Sequence, residues 1–92
     1  MYASIREYKT KDNAEVARRA QEGFLPIVRE IDGFSGYYMV DGGDKFFTVT
    51  LGENESAVDE SVNKAREWVQ GNAAELIEGS PVVTNGEVVA KT

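Results

Sequence analysis

The sequence predicts an α+β domain of ferredoxin-like order, β-α-β-β-α-β, built on an antiparallel sheet. Three observations carry this. Tyr2 to Lys9 alternates on a period of two. Two amphipathic stretches with three- and four-residue spacing bracket a pair of strand-like runs. That pair is joined by the short turn Asp41-Gly42-Gly43-Asp44, as in a hairpin.

In the first strand Ala3 and Ile5 share one face, and Tyr2, Ser4, Arg6 and Tyr8 the other. Asp12 or Asn13 caps the next helix, with Glu15 three residues after Asp12 as in a capping box. That helix is expected from about Asn13 to Ile31. Val16, Ala20, Phe24, Ile27 and Ile31 form its buried stripe. Pro26 removes one backbone donor, so the helix is expected to kink and continue, ending at Gly33.

Phe34–Val40 and Lys45–Leu51 are the hairpin strands. In the latter, Phe47, Val49 and Leu51 oppose Phe46, Thr48 and Thr50. Both sets are bulky or semi-polar and neither is charged, which predicts a sheet covered on both faces. Asn54 caps the second helix, expected to run to about Ile77 and stop at Gly79 and Pro81. Its inner stripe is Val58, Val62, Ala65, Val69 and Leu76, with Trp68 at the edge. Val82 to Ala90 is strand-like. Asn85-Gly86 leaves two outcomes open, a small hairpin or one continuous edge strand.

With 92 residues the chain is expected to form one domain spanning residues 1–92. Ten basic against sixteen acidic residues argue against nucleic-acid and anionic-membrane partners. No Cys and no His removes disulfides, zinc sites, thiol nucleophiles and His-based triads. No apolar run suits a signal peptide or membrane span, so the chain reads as cytoplasmic.

Right-handed crossovers place both helices on one sheet face. The other face is expected to carry Tyr2, Arg6, Tyr8, Phe46, Thr48 and Thr50. Such an aromatic face calls for a cover, and a homodimer with facing sheets supplies it.

The run GFLPIVREI followed by DGFSGYYMVD, the REWV segment leading to Leu76, and the terminal GEVVA resemble the antibiotic-biosynthesis monooxygenase (ABM) proteins, dimeric α+β barrels. The most similar members are small stand-alone proteins of actinomycete character and unknown function. The resemblance covers nearly the whole chain. It implies cofactor-independent oxidation of aromatic or quinone-like small molecules by dioxygen, in a pocket between sheet and helices, with no metal or flavin. The related haem-degrading branch needs an axial His, which this chain lacks. The Asn that many active members carry on the first strand is replaced here by Arg6-Glu7.

On this basis Trp68, Arg6 and Tyr37 are the candidate catalytic residues, and Tyr8, Tyr38, Phe46 and Thr48 the candidate substrate-binding residues. Trp68 corresponds to the Trp near substrate in the family; the competing reading is an ordinary core Trp. Arg6 would stabilise an enolate or phenolate, unless it pairs with a carboxylate across a dimer. A tyrosine with its ordinary pKa of about 10 donates to such an oxyanion but is a poor base. Asp41 and Asp44 offer too few oxygens for calcium. Gly33-Phe34-Ser35-Gly36 matches a GxxG loop, but the acidic balance speaks against RNA.

Two functions follow. One is a cofactor-free monooxygenase, which predicts a deep pocket with Trp68, a tyrosine and a polar group. The alternative is a non-catalytic dimeric barrel that binds a hydrophobic small molecule or serves as an interaction module. It predicts an inner face filled by Tyr2, Tyr8 and Phe46 with no accessible cavity.

Overall fold

A computed structural model describes residues 1–92. The first strand, β1 (Tyr2–Thr10), leads into α1 (Asn13–Gly23). Asp12 is the cap, its Oδ1 accepting from the Glu15 N–H at 3.1 Å. The Glu15 carboxylate does not complete the reciprocal box; it accepts instead from Arg18 at 2.8 Å and Arg19 at 2.8 Å.

The expected single kinked helix is two helices. α1 stops at Gly23, and a short α2 (Leu25–Val28) follows Phe24. Pro26 has no N–H to offer the Glu22 carbonyl, so the α-helical ladder cannot run through. The break resets the apolar register. Val28 is buried where Ile27 was expected, and Ile27 is exposed. Gly33, at φ 85°, then turns the chain, a conformation open to Gly but costly for other residues.

β2 (Phe34–Asp41) and β3 (Phe46–Gly52) form the antiparallel hairpin. Its turn is locked from outside. The Asn13 side chain donates to Asp41 Oδ1 at 2.8 Å and to the Gly43 carbonyl at 3.0 Å. These bonds, with the Gly43 N–H, hold the Asp41 carboxyl below its ordinary range.

Asn54 caps α3 (Glu55–Asn72), accepting from the Ala57 N–H at 2.9 Å. The helix is shorter than expected. It ends before a single 3₁₀ turn at Ala74–Leu76, and β4 (Ile77–Glu87) begins at once. Gly79 and Pro81 therefore lie inside a strand rather than terminating a helix. β4 is one continuous edge strand, so Asn85-Gly86 makes no hairpin. Pro81 is tolerated there because an edge strand has backbone donors to spare.

The sheet order is β2-β3-β1-β4 with all pairs antiparallel. No helix is long and apolar enough to cross a membrane.

The expected face assignment is inverted. Ser4, Arg6, Tyr8, Phe46, Thr48 and Thr50 are buried beneath the helices. Tyr37 and Met39 join them through pairing with Thr50 and Thr48. Ile5, Val49 and Leu51 lie on the open face with Phe47, Tyr38 and Val40. The physical reason lies in the helices. Phe24, Val28, Trp68 and their neighbours already fill most of the apolar interior, leaving semi-polar strand residues to close it. Trp68, expected at the edge of the helix stripe, belongs to this core and is its most exposed member at 9%.

Candidate functional site

A cleft of about 430 Å³ opens between α3 and the β1–β4 half of the sheet. Its size lies within the range of small-molecule sites. β1 supplies Arg6 and Tyr8. α3 supplies Val62, Arg66, Val69 and Gln70; Arg66 lies four residues after Val62, and Val69 and Gln70 lie three and four after Arg66, so they share a face. β4 supplies Ile77, Gly79, Ser80, Pro81 and Val83, with Ala74 closing one end.

The β4 wall owes its shape to a bulge. Between Val82 and Glu78 the strand takes four residue steps while its partner β1 takes two, from Glu7 to Lys9. Gly79, at φ 70°, makes the turn possible. Gly79, Ser80 and Pro81 of the bulge line the cleft together with Tyr8.

Arg6 is the most unusual group in the cleft. It is 1% exposed, yet no carboxylate meets it. Its Nε donates to Thr48 Oγ1 at 3.0 Å and its Nη2 to Thr50 Oγ1 at 3.2 Å. Longer contacts reach the Ser61 carbonyl at 3.4 Å and the Tyr37 hydroxyl at 3.5 Å. The guanidinium carbon lies 5.9 Å from the centre of the Tyr37 ring, within cation–π range. Every partner is neutral, so a desolvated positive charge is met by dipoles alone.

Tyr8 and Tyr37 both have hydroxyls held above their ordinary pKa, first by burial and against the pull of Arg6. Both remain protonated at neutral pH and so do not serve as bases. Tyr8 makes no side-chain hydrogen bond within the chain, although it is only 7% exposed. Arg66, exposed at the rim, donates only to Asn63 Oδ1 at 3.4 Å. No Asp or Glu lines the cleft, and no three carboxylates gather to hold a metal anywhere in the chain.

The residues expected from the sequence divide among three places. Arg6 and Tyr8 line the cleft; Thr48 and Tyr37 stand behind Arg6 and hold its guanidinium. Trp68 and Phe46 lie in the core, around a void of about 20 Å³ that has room for a single water. The Trp68 ring packs on Phe24 at 5.9 Å, and Phe24 packs edge-on to Tyr37 at 5.5 Å. Tyr38 is 59% exposed on the open face, across the sheet from the cleft. Arg66, Gln70 and Ser80 were not singled out as site residues. The step from Val62 to Arg66 to Gln70 is visible in the sequence. The bulge that brings Ser80 over the cleft is not.

No family model and no curated protein sequence matches the chain. Solved structures do, and the neighbours are proteins of the ABM fold, several of unknown function. A protein of unknown function from Nitrosomonas europaea, NE2512, superposes with a TM-score of 0.81 at 20% identity, over 99% of this chain and 91% of that one. A monooxygenase from the gene ActVA-Orf6 of Streptomyces coelicolor, solved with the ligand nanaomycin D, gives 0.74 at 14% identity, over 98% and 92%. A MhuD variant with two manganese protoporphyrin IX molecules per active site gives 0.69 at 20% identity, over 100% and 98%. At these identities the likeness is one of fold.

Proposed function

We propose that the chain is a cofactor-independent monooxygenase for an aromatic, quinol-type small molecule, and that it works as a homodimer. The observation that carries the reading is the cleft, half of whose lining residues are hydrophobic and which holds two arginines and no acid. The neighbour that bears the name monooxygenase and holds nanaomycin D supports it.

The overall reaction for an anthrone-type methylene is oxidation of CH₂ to C=O by one dioxygen, with release of one water. The substrate first loses a proton to solvent. Its carbanion then passes one electron to dioxygen. The resulting radical and superoxide combine, and the protonated peroxide loses water to give the carbonyl. The chain's part is to bind the ring between α3 and β4, exclude bulk water and favour the ionised form. A low-dielectric wall strengthens that last effect. Haem fits poorly, because the chain has neither His nor Cys for an axial bond and the buried Tyr8 hydroxyl stays protonated.

The dimer reading rests on the open sheet face. Ile5, Tyr38 and Val40 are exposed there beside half-buried Phe47, Val49 and Leu51. A contiguous apolar face of this kind marks an interface. A second copy covers it by symmetry, sheet against sheet.

One observation favours a second reading, a binding protein without turnover: the cleft contains no side chain able to accept a proton at neutral pH. Turnover of an anthrone and quinol panel by metal-free protein, with and without oxygen, separates the two. Oxygen-dependent quinone formation above buffer supports the enzyme. Saturable binding of the same compounds with no turnover supports the binding protein.

A further inference from the structure

We infer that the cleft grips its ligand by one negatively charged oxygen on an aromatic ring, seated at the Tyr8 hydroxyl between the Arg6 and Arg66 side chains. The inference rests on the cleft being the ligand site and adds the chemical class the site selects.

Three observations converge. Tyr8 is 7% exposed and its hydroxyl, bordering the cleft, has no hydrogen-bond partner in the chain. The ring is enclosed but the hydroxyl is not: the buried side-chain oxygens without a partner are Ser4 Oγ and Ser61 Oγ, so the Tyr8 hydroxyl is open to a partner from outside the chain. Arg6, two residues earlier on the same strand face, is buried with neutral partners only. Arg66 overhangs from α3 with no ion pair. Yet acids outnumber bases sixteen to ten in this chain, and Arg18 and Arg19 both find Glu15. Arg6 and Arg66 line the same cleft as this hydroxyl and neither has a carboxylate partner, so an external oxyanion completes the set.

The rest of the cleft describes the ligand's body. Val62 and Val69 from α3 and Pro81 and Val83 from β4 give the cleft apolar walls for an aromatic ring to pack on. The titratable and charged groups facing the subsite are Arg6 and Tyr8 from β1, Tyr37 from β2 behind Arg6, and Arg66 from α3. β4 contributes none between Gly79 and Val83. The charge can come from an ionised phenol or from a carboxylate.

Calorimetric titration of the intact protein with naphthoate, naphthol and methoxynaphthalene tests this. Naphthoate should bind at least tenfold more tightly than neutral methoxynaphthalene at neutral pH. Naphthol affinity should climb with pH through an ionisation lowered by about one unit or more. Arg6→Met and Tyr8→Phe should each reduce the ratio of naphthoate to methoxynaphthalene affinity, and circular-dichroism melts of both variants show that they are folded. Equal affinity for all three compounds overturns the anion subsite and leaves the aromatic cleft standing. A preference that survives in both variants overturns the residues assigned to it. No binding of any of the three overturns the cleft itself as a ligand site.

Discussion

Removing the buried charge together with its partners should make this protein more stable. Arg6 is 1% exposed and surrounded by neutral groups. After relaxation, a desolvated ion still costs several kcal/mol, and apolar replacement of buried ionic groups commonly stabilises by about 1–4 kcal/mol. Two well-formed bonds offset part of that cost, those to Thr48 at 3.0 Å and Thr50 at 3.2 Å. Arg6→Met alone would orphan these hydroxyls at roughly 1 kcal/mol each, so its net effect should be small. In the triple variant Arg6→Met, Thr48→Val, Thr50→Val, the charge goes together with its two closest partners, leaving only the longer contacts to the Ser61 carbonyl and the Tyr37 hydroxyl unmade. That variant should gain about 1–3 kcal/mol. For a chain this short each kcal/mol moves Tm by about 4–8 °C. Thermal unfolding followed by circular dichroism reads the shift. A triple variant less stable than wild type would refute the reasoning and make Arg6 a structural residue rather than one held in place for a ligand.

Other outcomes follow from the same geometry. Trp68→Ala should cost about 3–5 kcal/mol in denaturant melts, because Trp68 fills the core against Phe24; activity lost in that variant then has to be separated from unfolding, and Trp68→Phe serves for that. Val49→Lys places a charge at the centre of the open face, between Ile5 and Tyr38, and should sediment as a monomer where wild type sediments as a dimer; a monomeric wild type would end the dimer reading. The Glu15 carboxyl is held down to about 2, first by its bond to Arg18 and then by that to Arg19. A depressed carboxylate contributes stability above its unfolded pKa that fades as pH falls toward the folded one. Acid titration of wild type should therefore show a loss below about pH 4.5 that Glu15→Gln flattens, a modest effect because the pairs are at the surface.

The element order was legible because each element carries a local signal. Period-two runs, the Gly-Gly turn, and caps at Asp12 and Asn54 all act within a few residues. Boundaries failed where the decision was not local. Gly79 and Pro81 look like helix stops, but the 3₁₀ turn at Ala74–Leu76 had already ended the helix, and pairing with β1 drew them into a bulged edge strand. Pro26 was rightly read as a disturbance. Whether it kinks or breaks the helix depends on whether Phe24 and Val28 can both reach the core, which is a tertiary question.

The inverted sheet faces show why the site was harder to read than the fold. A strand's alternation tells which residues share a face, not which face the helices cover. In β3 one face reads Phe, Val, Leu and the other Phe, Thr, Thr, so hydrophobicity alone favours the wrong side for burial. The buried Arg6 is the key to the correct side. A guanidinium among threonines beneath a helix looks unfavourable from composition, and β1 places it there because Ser4, Arg6 and Tyr8 face α3. The more apolar face is then left open, where burial needs a second chain. The semi-polar face is enclosed, where a cleft needs hydrogen-bond donors. Each face thus has a composition that suits the contact proposed for it: apolar strands for another sheet, arginine and tyrosine for a ligand.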